Sequence, residues 1–120
     1  MLDHITLIVT DYGKSKDFYQ KALKPLGYGV LMDYGEAAGL GIGSKPDFWI
    51  AKGKPGSISH VAFTSNDRET VDEFYKAAIA AGGKDNGKPG IRKNYHPNYY
   101  GAFVFDPDGH NIEAVCHTPE

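Results

Sequence analysis

Cysteine is scarce in this sequence: Cys116 is the only one among 120 residues, so no disulfide can form within one chain. A chain of this length buries enough apolar surface to fold without such a cross-link, and we expect one domain over residues 1–120. The first residues contain no basic leader and no apolar stretch of signal length. With the lone thiol, this leads us to expect a cytoplasmic protein.

The sequence also lacks an excess of charge of either sign. Its 13 Lys and Arg residues face 15 Asp and Glu residues, and no cluster of basic residues stands out. Tight binding to nucleic acid or to an anionic lipid surface therefore has no electrostatic basis. No apolar run approaches the roughly 20 residues of a membrane-spanning helix. We expect a small-molecule substrate as the partner, and neither nucleic acid nor membrane.

The sequence contains an internal repeat of one unit. His4 aligns with His60 at an offset of 56 residues (60 minus 4). The same offset aligns further pairs of residues: Asp11 with Asp67, Phe18 with Phe74, Tyr19 with Tyr75, Ala22 with Ala78 and Gly27 with Gly83. A repeat of this kind predicts two copies of one supersecondary unit.

Each copy has the same order of local signals. A stretch of alternating apolar residues predicts a strand, an Asp that can cap a helix follows, and an amphipathic helical stretch ends near glycine. Three further strands are expected after each helix; the first of them in the second copy is expected at about residues 90–93. The sequence therefore predicts an α+β fold of two tandem βαβββ modules, residues 1–52 and 57–120, joined by a linker at 53–56.

Three stretches carry a family resemblance: DHITLIVTD at the start, SHVAFTS in the middle and DPDGHNIEAV near the end. With the two βαβββ modules, they resemble the vicinal oxygen chelate superfamily of glyoxalases, bleomycin resistance proteins, extradiol dioxygenases and fosfomycin resistance proteins. The resemblance implies curved mixed sheets that form incomplete barrels around one divalent metal, held by His4, His60 and Glu113. It also implies a homodimer, with the metal site either shared between subunits or built within one chain.

Two imidazoles and one carboxylate are a suitable ligand set for Fe, Mn, Zn, Ni or Co, and they leave coordination positions open. A substrate with two neighbouring oxygens can occupy those positions and be polarised, as in lyase, isomerase, transferase or dioxygenase chemistry. We therefore expect a metal-dependent enzyme. The alternative is a metal-free protein that binds and sequesters a small molecule, as bleomycin resistance members of the superfamily do.

One position departs from the glyoxalase I pattern. That enzyme has a fourth ligand, a glutamate, on the last strand of the first module, where Trp49 aligns with Glu113. An indole is only a hydrogen-bond donor and cannot ligate a metal. Asp47 could substitute only if the register slips by two residues, so genuine glyoxalase I activity is not expected. Trp49 is interpreted either as a substrate-binding floor for a planar substrate or as part of the core.

The segment RKNYHPNYY, residues 92–100, concentrates side chains that bind ligands or move protons. We predict that His96, Tyr95 and Tyr100 take catalytic roles, with His96 as the best acid or base because histidine titrates near neutrality. Arg92 and Tyr99 are predicted to bind substrate. The alternative is that the tyrosines only pack a sheet edge.

Three residues near Glu113 are given no part in the chemistry. The run DPDG, residues 106–109, predicts a hairpin turn before the last strand. His110 lies at this turn and His117 at the end of the last strand, so both are expected to face solvent. Cys116 alternates away from Glu113 along the predicted strand and is expected to be a buried structural thiol.

Overall fold

A computed structural model describes residues 1–54 and 56–119. The first half contains β1 (Ile5–Val9), α1 (Tyr12–Ala22), a short 3-10 helix (Lys24–Leu26), β2 (Gly29–Asp33), β3 (Ala37–Gly41) and β4 (Phe48–Lys52). The second half contains β5 (His60–Thr64), α2 (Arg68–Ala80), β6 (Lys84–Ile91), β7 (Tyr100–Phe105) and β8 (Asn111–Cys116). Both halves have the predicted βαβββ order.

Each half forms its own four-stranded mixed sheet. The strand orders are β1-β4-β3-β2 and β5-β8-β7-β6, so the two sheets have the same topology. In each sheet the first strand pairs in parallel with the last, and the other pairs are antiparallel. The predicted α+β class is confirmed, and the described strands form two open sheets rather than a closed barrel.

The repeated Asp residues begin both helices. Asp11 accepts a hydrogen bond from the backbone N–H of Lys14, and Asp67 accepts one from that of Thr70. These bonds satisfy backbone donors that have no partner in the first turn of a helix. The bond from Thr70 lowers the pKa of Asp67, because it stabilises the ionised carboxylate.

One apolar layer separates the helices from the sheets and runs through both halves. The rings of Tyr19 and Phe48 meet edge to face at 5.0 Å, and Phe48 meets Phe63 in the same way at 5.2 Å. Phe48 lies on β4 and Phe63 on β5, so aromatic packing joins the two halves. The other face of each sheet carries no helix; we call it the open face, and the exposed side chains of Thr6, Ile8, Ala62 and Thr64 lie on it.

The second half differs from its prediction at β6, which spans Lys84–Ile91 instead of about residues 90–93. Its pairing with β7 shifts register between Asp85 and Gly87 and again between Gly87 and Gly90. Such irregularities break the alternation from which a strand is recognised. The predicted linker includes Pro55 and the second module ends at Glu120, and both residues lie outside the described part. In that part, no helix combines the length and apolar character needed to cross a membrane.

Candidate active site

His60 and Glu113 meet on the open face of the second sheet. The parallel pairing of β5 with β8 sets Ala62 beside Glu113 and His60 beside Asn111. His60 Nε2 lies 3.1 Å from Glu113 Oε1. His60 Nδ1–H donates to the backbone oxygen of Asn111 at 3.0 Å, so Nε2 is the ring nitrogen that faces the carboxylate.

This pair has the geometry of two ligands of one ion. Donors bound at roughly 2.0–2.2 Å from a shared metal, at an angle near a right angle, lie about 3 Å apart. The observed 3.1 Å agrees with that separation. Glu113 is 1% exposed, whereas the His60 side chain is 49% exposed and open to solvent. A buried carboxylate of this kind needs a cation or hydrogen-bond donors to offset its desolvation.

Tyr99 supplies one such donor. Its hydroxyl donates to Glu113 Oε2, and burial followed by this bond raises the pKa of Tyr99, so the phenol is neutral at neutral pH. Gly101 makes the approach possible, because a Cβ there would lie 3.1 Å from Tyr99 Cε1 and 3.3 Å from Glu113 Oε2. The sequence analysis missed Gly101, although glycine inside a strand often marks such a close approach.

Backbone hydrogen bonds within the loop that carries Tyr99 hold the loop closed. Arg92 N–H donates to the oxygen of Tyr99 at 2.7 Å, and Tyr99 N–H donates to that of His96 at 3.2 Å. The rings of Tyr95 and Tyr99 meet edge to face at 4.8 Å. The loop therefore holds both tyrosine side chains in fixed positions, toward the cavity that also contains His60 and Glu113.

His96 pairs with a histidine that the sequence analysis had placed outside the site. Its Nδ1 accepts from the Asn98 N–H at 3.0 Å, so in the neutral ring Nε2 carries the proton. Nε2 lies 2.6 Å from Nδ1 of His117, which is exposed as predicted. His117 was missed because it follows β8, and only the fold brings it to the loop.

These groups line one cavity of about 710 Å³. Its lining residues are His60, Asn94, Tyr95, His96, Tyr99, Phe103, Asn111 and Glu113. The Phe103 ring lies 6.3 Å from that of His60, and the Arg92 guanidinium lies 5.4 Å from the Phe103 ring. Arg92 also donates from Nη2 to the Lys88 backbone oxygen at 2.6 Å.

His4 is not in this cavity. It lies just before β1 rather than within it, and its Nδ1 is 2.7 Å from Asp3 Oδ2. It lines a second cavity of about 490 Å³, together with Tyr28 and Asp47 among others. One protomer therefore brings together two of the three predicted ligands, His60 and Glu113.

Tyr100 lies on the opposite face of its strand from the cavity. Its hydroxyl donates to Asp72 Oδ1 on α2 at 2.6 Å, and the Arg68 guanidinium lies 5.2 Å from its ring. Tyr99 lies on the loop before β7 and its hydroxyl reaches Glu113, whereas Tyr100 is the first residue of β7 and faces α2. The structure thus brings Tyr95, His96 and Tyr99 to the cavity, and places Tyr100 against the helix.

Trp49 occupies the position in the first sheet that Glu113 occupies in the second. It pairs with Thr6, as Glu113 pairs with Ala62, and Thr6 and Ala62 are repeat equivalents. Its indole is half-buried and lies parallel to the ring of Tyr34. The register predicted for Trp49 is confirmed, and Asp47 does not take its place.

A second group of potential ligands lies at the turn between β7 and β8. One ligand atom each from Asp106, Asp108 and His110 lie within 4.8 Å of one another. His110 is 5% exposed, so the prediction that it faces solvent is wrong. Its Nδ1 accepts from the Ser59 N–H at 2.9 Å, and its Nε2 lies 3.0 Å from the backbone oxygen of Ile8. Both ring nitrogens are therefore engaged.

The carboxylates of this turn are also engaged, mostly by the first half of the chain. Asp106 accepts from the Tyr19 hydroxyl and the His110 N–H, and Asp108 accepts from the Thr10 hydroxyl at 2.6 Å. A metal would have to displace these bonds. We call the three side chains of Asp106, Asp108 and His110 the clasp, because they tie the second half to β1 and α1.

Residues 1–114 match a family model described as the Glyoxalase/Bleomycin resistance protein/Dioxygenase superfamily. No curated protein matches the chain. The chain is also similar to the crystal structure of a glyoxalase/bleomycin resistance protein from Albidiferax ferrireducens T118. The two are 29% identical with a TM-score of 0.84, over 98% of this chain and 99% of that chain.

Two more solved structures share the fold. A mutant of glyoxalase I from Zea mays is 27% identical with a TM-score of 0.71, over 95% of this chain and 46% of that chain. A mutant of the fosfomycin resistance protein FosX from Listeria monocytogenes, complexed with Mn(II) and 1S,2S-dihydroxypropylphosphonic acid, is 24% identical with a TM-score of 0.72. That match covers 98% of this chain and 90% of the FosX chain.

Proposed function

Because the chain belongs to the glyoxalase/bleomycin resistance protein/dioxygenase superfamily, we propose that it is a metal-dependent enzyme acting on a small substrate with two neighbouring oxygens. His60 and Glu113 hold the divalent metal, and His4 of a second copy is the third ligand. When bound, the metal polarises the substrate oxygens and lowers the energy of the negative charge that develops on them. The reaction is of the lyase, isomerase, transferase or dioxygenase type.

The observation that carries this proposal is the hydrogen bond from His60 Nδ1 to the Asn111 backbone. Histidines that bind metals commonly donate their second ring N–H to a carbonyl or carboxylate, which fixes the ring and increases the basicity of the ligating nitrogen. Here that bond is 3.0 Å long, and the other nitrogen lies 3.1 Å from a buried carboxylate. The two donors are thus held in place before an ion arrives.

The third ligand leads us to infer a homodimer. His4 lies just before β1 and lines a different cavity from His60 and Glu113, so one chain supplies an incomplete set. In their sheets β1 and β5 each have one outer edge with no partner strand among the described residues. Exposed apolar side chains lie on β1 or just before β1 and β5: Leu2, Ile8 and Ile58. A second copy would cover them and bring His4 to the open face of the other chain.

The loop residues supply the remaining chemistry. The neutral Tyr99 hydroxyl and the His96 imidazole hold or move a proton at a substrate oxygen, with Tyr95 packed against Tyr99 to position it. Arg92 offers a cation to an anionic group of the substrate. We exclude glyoxalase I activity from the proposal, because Trp49 stands where that enzyme has its fourth ligand.

Metal analysis tests the proposal. Protein purified without chelator and supplied with Mn(II) is expected to bind about one ion per chain, and Glu113→Gln to weaken binding at least about tenfold. The matched control is Asp17→Asn, which changes a carboxylate on α1 whose side chain is 57% exposed and is expected to leave metal binding intact. Circular dichroism verifies that each variant is folded. Sedimentation is expected to show a dimer; a monomer that binds metal fully would contradict the shared site.

A metal-free binding protein is the second candidate, and one observation favours it. His60 and Glu113 already face each other at a distance that a protonated imidazole and a carboxylate adopt as an ion pair. If no added Mn(II), Fe(II), Ni(II) or Zn(II) binds to folded protein, the enzyme proposal fails and small-molecule sequestration is the better description.

A further inference from the structure

We propose that Asp3 is the residue that positions His4 as a metal ligand, because it holds the imidazole proton on Nδ1 and leaves Nε2 for the ion. This deepens the proposed function and rests on it for the ion itself. The orientation of the His4 ring rests on Asp3, so it can be measured on metal-free protein.

The His4 ring is bonded through one nitrogen only. Its Nδ1 lies 2.7 Å from Asp3 Oδ2, and nothing among the described residues bonds its Nε2. An ionised carboxylate can only accept a hydrogen bond, so Nδ1 carries the proton and, in the neutral ring, Nε2 keeps its lone pair. Nε2 is therefore the nitrogen that can ligate a metal.

The two repeat-related histidines are held in the same way by acceptors of different charge. His60 Nδ1–H donates at 3.0 Å to the backbone oxygen of Asn111, which is a neutral carbonyl. His4 has a carboxylate in that role. The repeat counterpart of Asp3, at the same offset of 56 residues (59 minus 3), is Ser59, whose side chain carries no charge. The charged acceptor thus belongs to the first module alone.

A charged acceptor compensates for the place of His4 in the chain. His60 is the first residue of β5 and is held by its sheet, whereas His4 lies one residue before β1. Lys45, in the turn between β3 and β4, donates to the other oxygen of Asp3 and orients the carboxylate. Hydrogen bonds to an ionised group are stronger than neutral ones, and such a partner increases the basicity of a ligating imidazole.

The surroundings of this pair change in the proposed dimer. In one chain the side chains of Asp3 and His4 are 64% and 52% exposed, so water screens their attraction. A second copy that brings its own ligands to the ion covers this surface, and the carboxylate then acts on a divalent charge from which water is excluded. We therefore expect Asp3 to matter more for metal affinity than for the stability of the chain.

Nitrogen NMR of metal-free protein tests the orientation of the ring. At about pH 8, where unperturbed imidazole is neutral, we expect His4 to be mainly the Nδ1–H tautomer and Asp3→Ala to shift it toward the Nε2–H tautomer. His4→Gln identifies the His4 signals. The His60 signals are an internal reference and should not change, since their acceptor is a backbone oxygen. A His4 proton on Nε2 in the parent protein would overturn the proposal.

Metal affinity tests the consequence for the ion. In calorimetry with Mn(II), Asp3→Ala is expected to weaken binding about tenfold. Asp3→Asn keeps an acceptor without the charge and should lie between Asp3→Ala and the parent protein. Asp17→Ala is the matched control and should leave the affinity unchanged, because Asp17 is also an exposed carboxylate paired with a lysine. Equal losses in Asp3→Ala and Asp17→Ala would show an effect of net charge alone and refute the positioning role.

A double variant shows whether Asp3 acts through His4. His4→Ala should weaken Mn(II) binding by itself, and Asp3→Ala added to it should cost nothing further, because the ring to be positioned is gone. A further loss of about tenfold in the His4→Ala background would mean that Asp3 acts on the ion in another way, and the proposal would be wrong. Circular dichroism verifies that each variant is folded.

The two readouts keep this proposal apart from the proposed function. If Mn(II) binds through Glu113 but neither the His4 tautomer nor the affinity responds to Asp3→Ala, the positioning role is wrong and the proposed function stands. If no metal binds to folded protein while the His4 tautomer responds to Asp3→Ala, the enzyme proposal fails and the orientation of His4 by Asp3 stands.

Discussion

The hydroxyl of Tyr99 is bonded to a carboxylate that water scarcely reaches. Glu113 Oε2 accepts from it, while Oε1 faces His60. A buried acceptor that loses its donor keeps the cost of desolvation without the compensating bond. The Tyr99 hydroxyl therefore contributes to the stability of the second sheet.

We predict that Tyr99→Phe lowers the free energy of unfolding by about 1–3 kcal/mol, because it removes that donor. Urea denaturation measures the change. Tyr95→Phe is the matched control: Tyr95 is 58% exposed and none of the described residues bonds its hydroxyl, so its effect should stay within about 0.5 kcal/mol. Equal effects of the two variants would show that the bond to Glu113 contributes nothing.

The sequence predicted on which face of a sheet a side chain lies wherever the alternation of strand residues determines it. The family resemblance implied that His60 and Glu113 meet, and the repeat aligned Trp49 with Glu113, without any coordinates. His110 could not be read in this way. It follows a turn, and its burial depends on Ser59 and Ile8, which lie 51 and 102 residues away along the chain.

At the scale of elements, the clasp joins the hairpin turn of the second module to β1 and α1 of the first. The run DPDG predicted the turn. Its hydrogen bonds to Thr10 and Tyr19 could not be predicted, because contacts between residues far apart in the chain produce no local sequence pattern. We propose that the clasp and the shared aromatic layer make the two modules one domain. The missed part of β6 has a related cause, since its bulges follow its pairing with β7 rather than its own composition.

We predict that His110→Ala lowers the free energy of unfolding by about 1–3 kcal/mol, because it leaves a backbone N–H of Ser59 and a backbone oxygen of Ile8 without their partner. The control is Asp17→Ala on α1, whose side chain is 57% exposed and should cost within about 0.5 kcal/mol. Thermal or urea unfolding measures both. A loss in His110→Ala no larger than in Asp17→Ala would mean that the clasp does not hold the modules together.

At the scale of the whole molecule, several tyrosines are kept neutral by the fold. Burial raises the pKa of Tyr19 and Tyr28, and burial with the bond to Asp33 raises the pKa of Tyr12 to about 12. The folded chain thus holds these protons more tightly than the unfolded chain, in which tyrosine titrates near pH 10. Their contribution to stability is complete below about pH 10 and is lost as the pH rises through the raised values.

We predict that the urea midpoint falls between about pH 9 and about pH 12, as these phenols ionise more readily in the unfolded chain. Tyr19→Phe should reduce this dependence on pH, because it removes the most buried of the group. Denaturation series at several pH values, with tyrosinate absorbance as a second probe, measure the effect. A midpoint that stays constant over this range would contradict the raised pKa values.

The family and the fold class were predictable from the sequence because duplication repeats the same signals, and the match over residues 1–114 confirms that resemblance. The site was predictable only in part. Of the three residues that the resemblance implied as ligands, His60 and Glu113 do meet, but the position of His4 depends on how modules pack, which no local pattern records.

His110 ends the turn that binds the first module, and the next residue, Asn111, accepts the hydrogen bond that orients His60. Two positions further along the same strand comes Glu113. A change in the contacts between the halves is therefore expected to shift His60 and Glu113. Attempts to stabilise this protein by redesigning its last hairpin should therefore alter its chemistry as well, and helix surfaces are the safer place to begin.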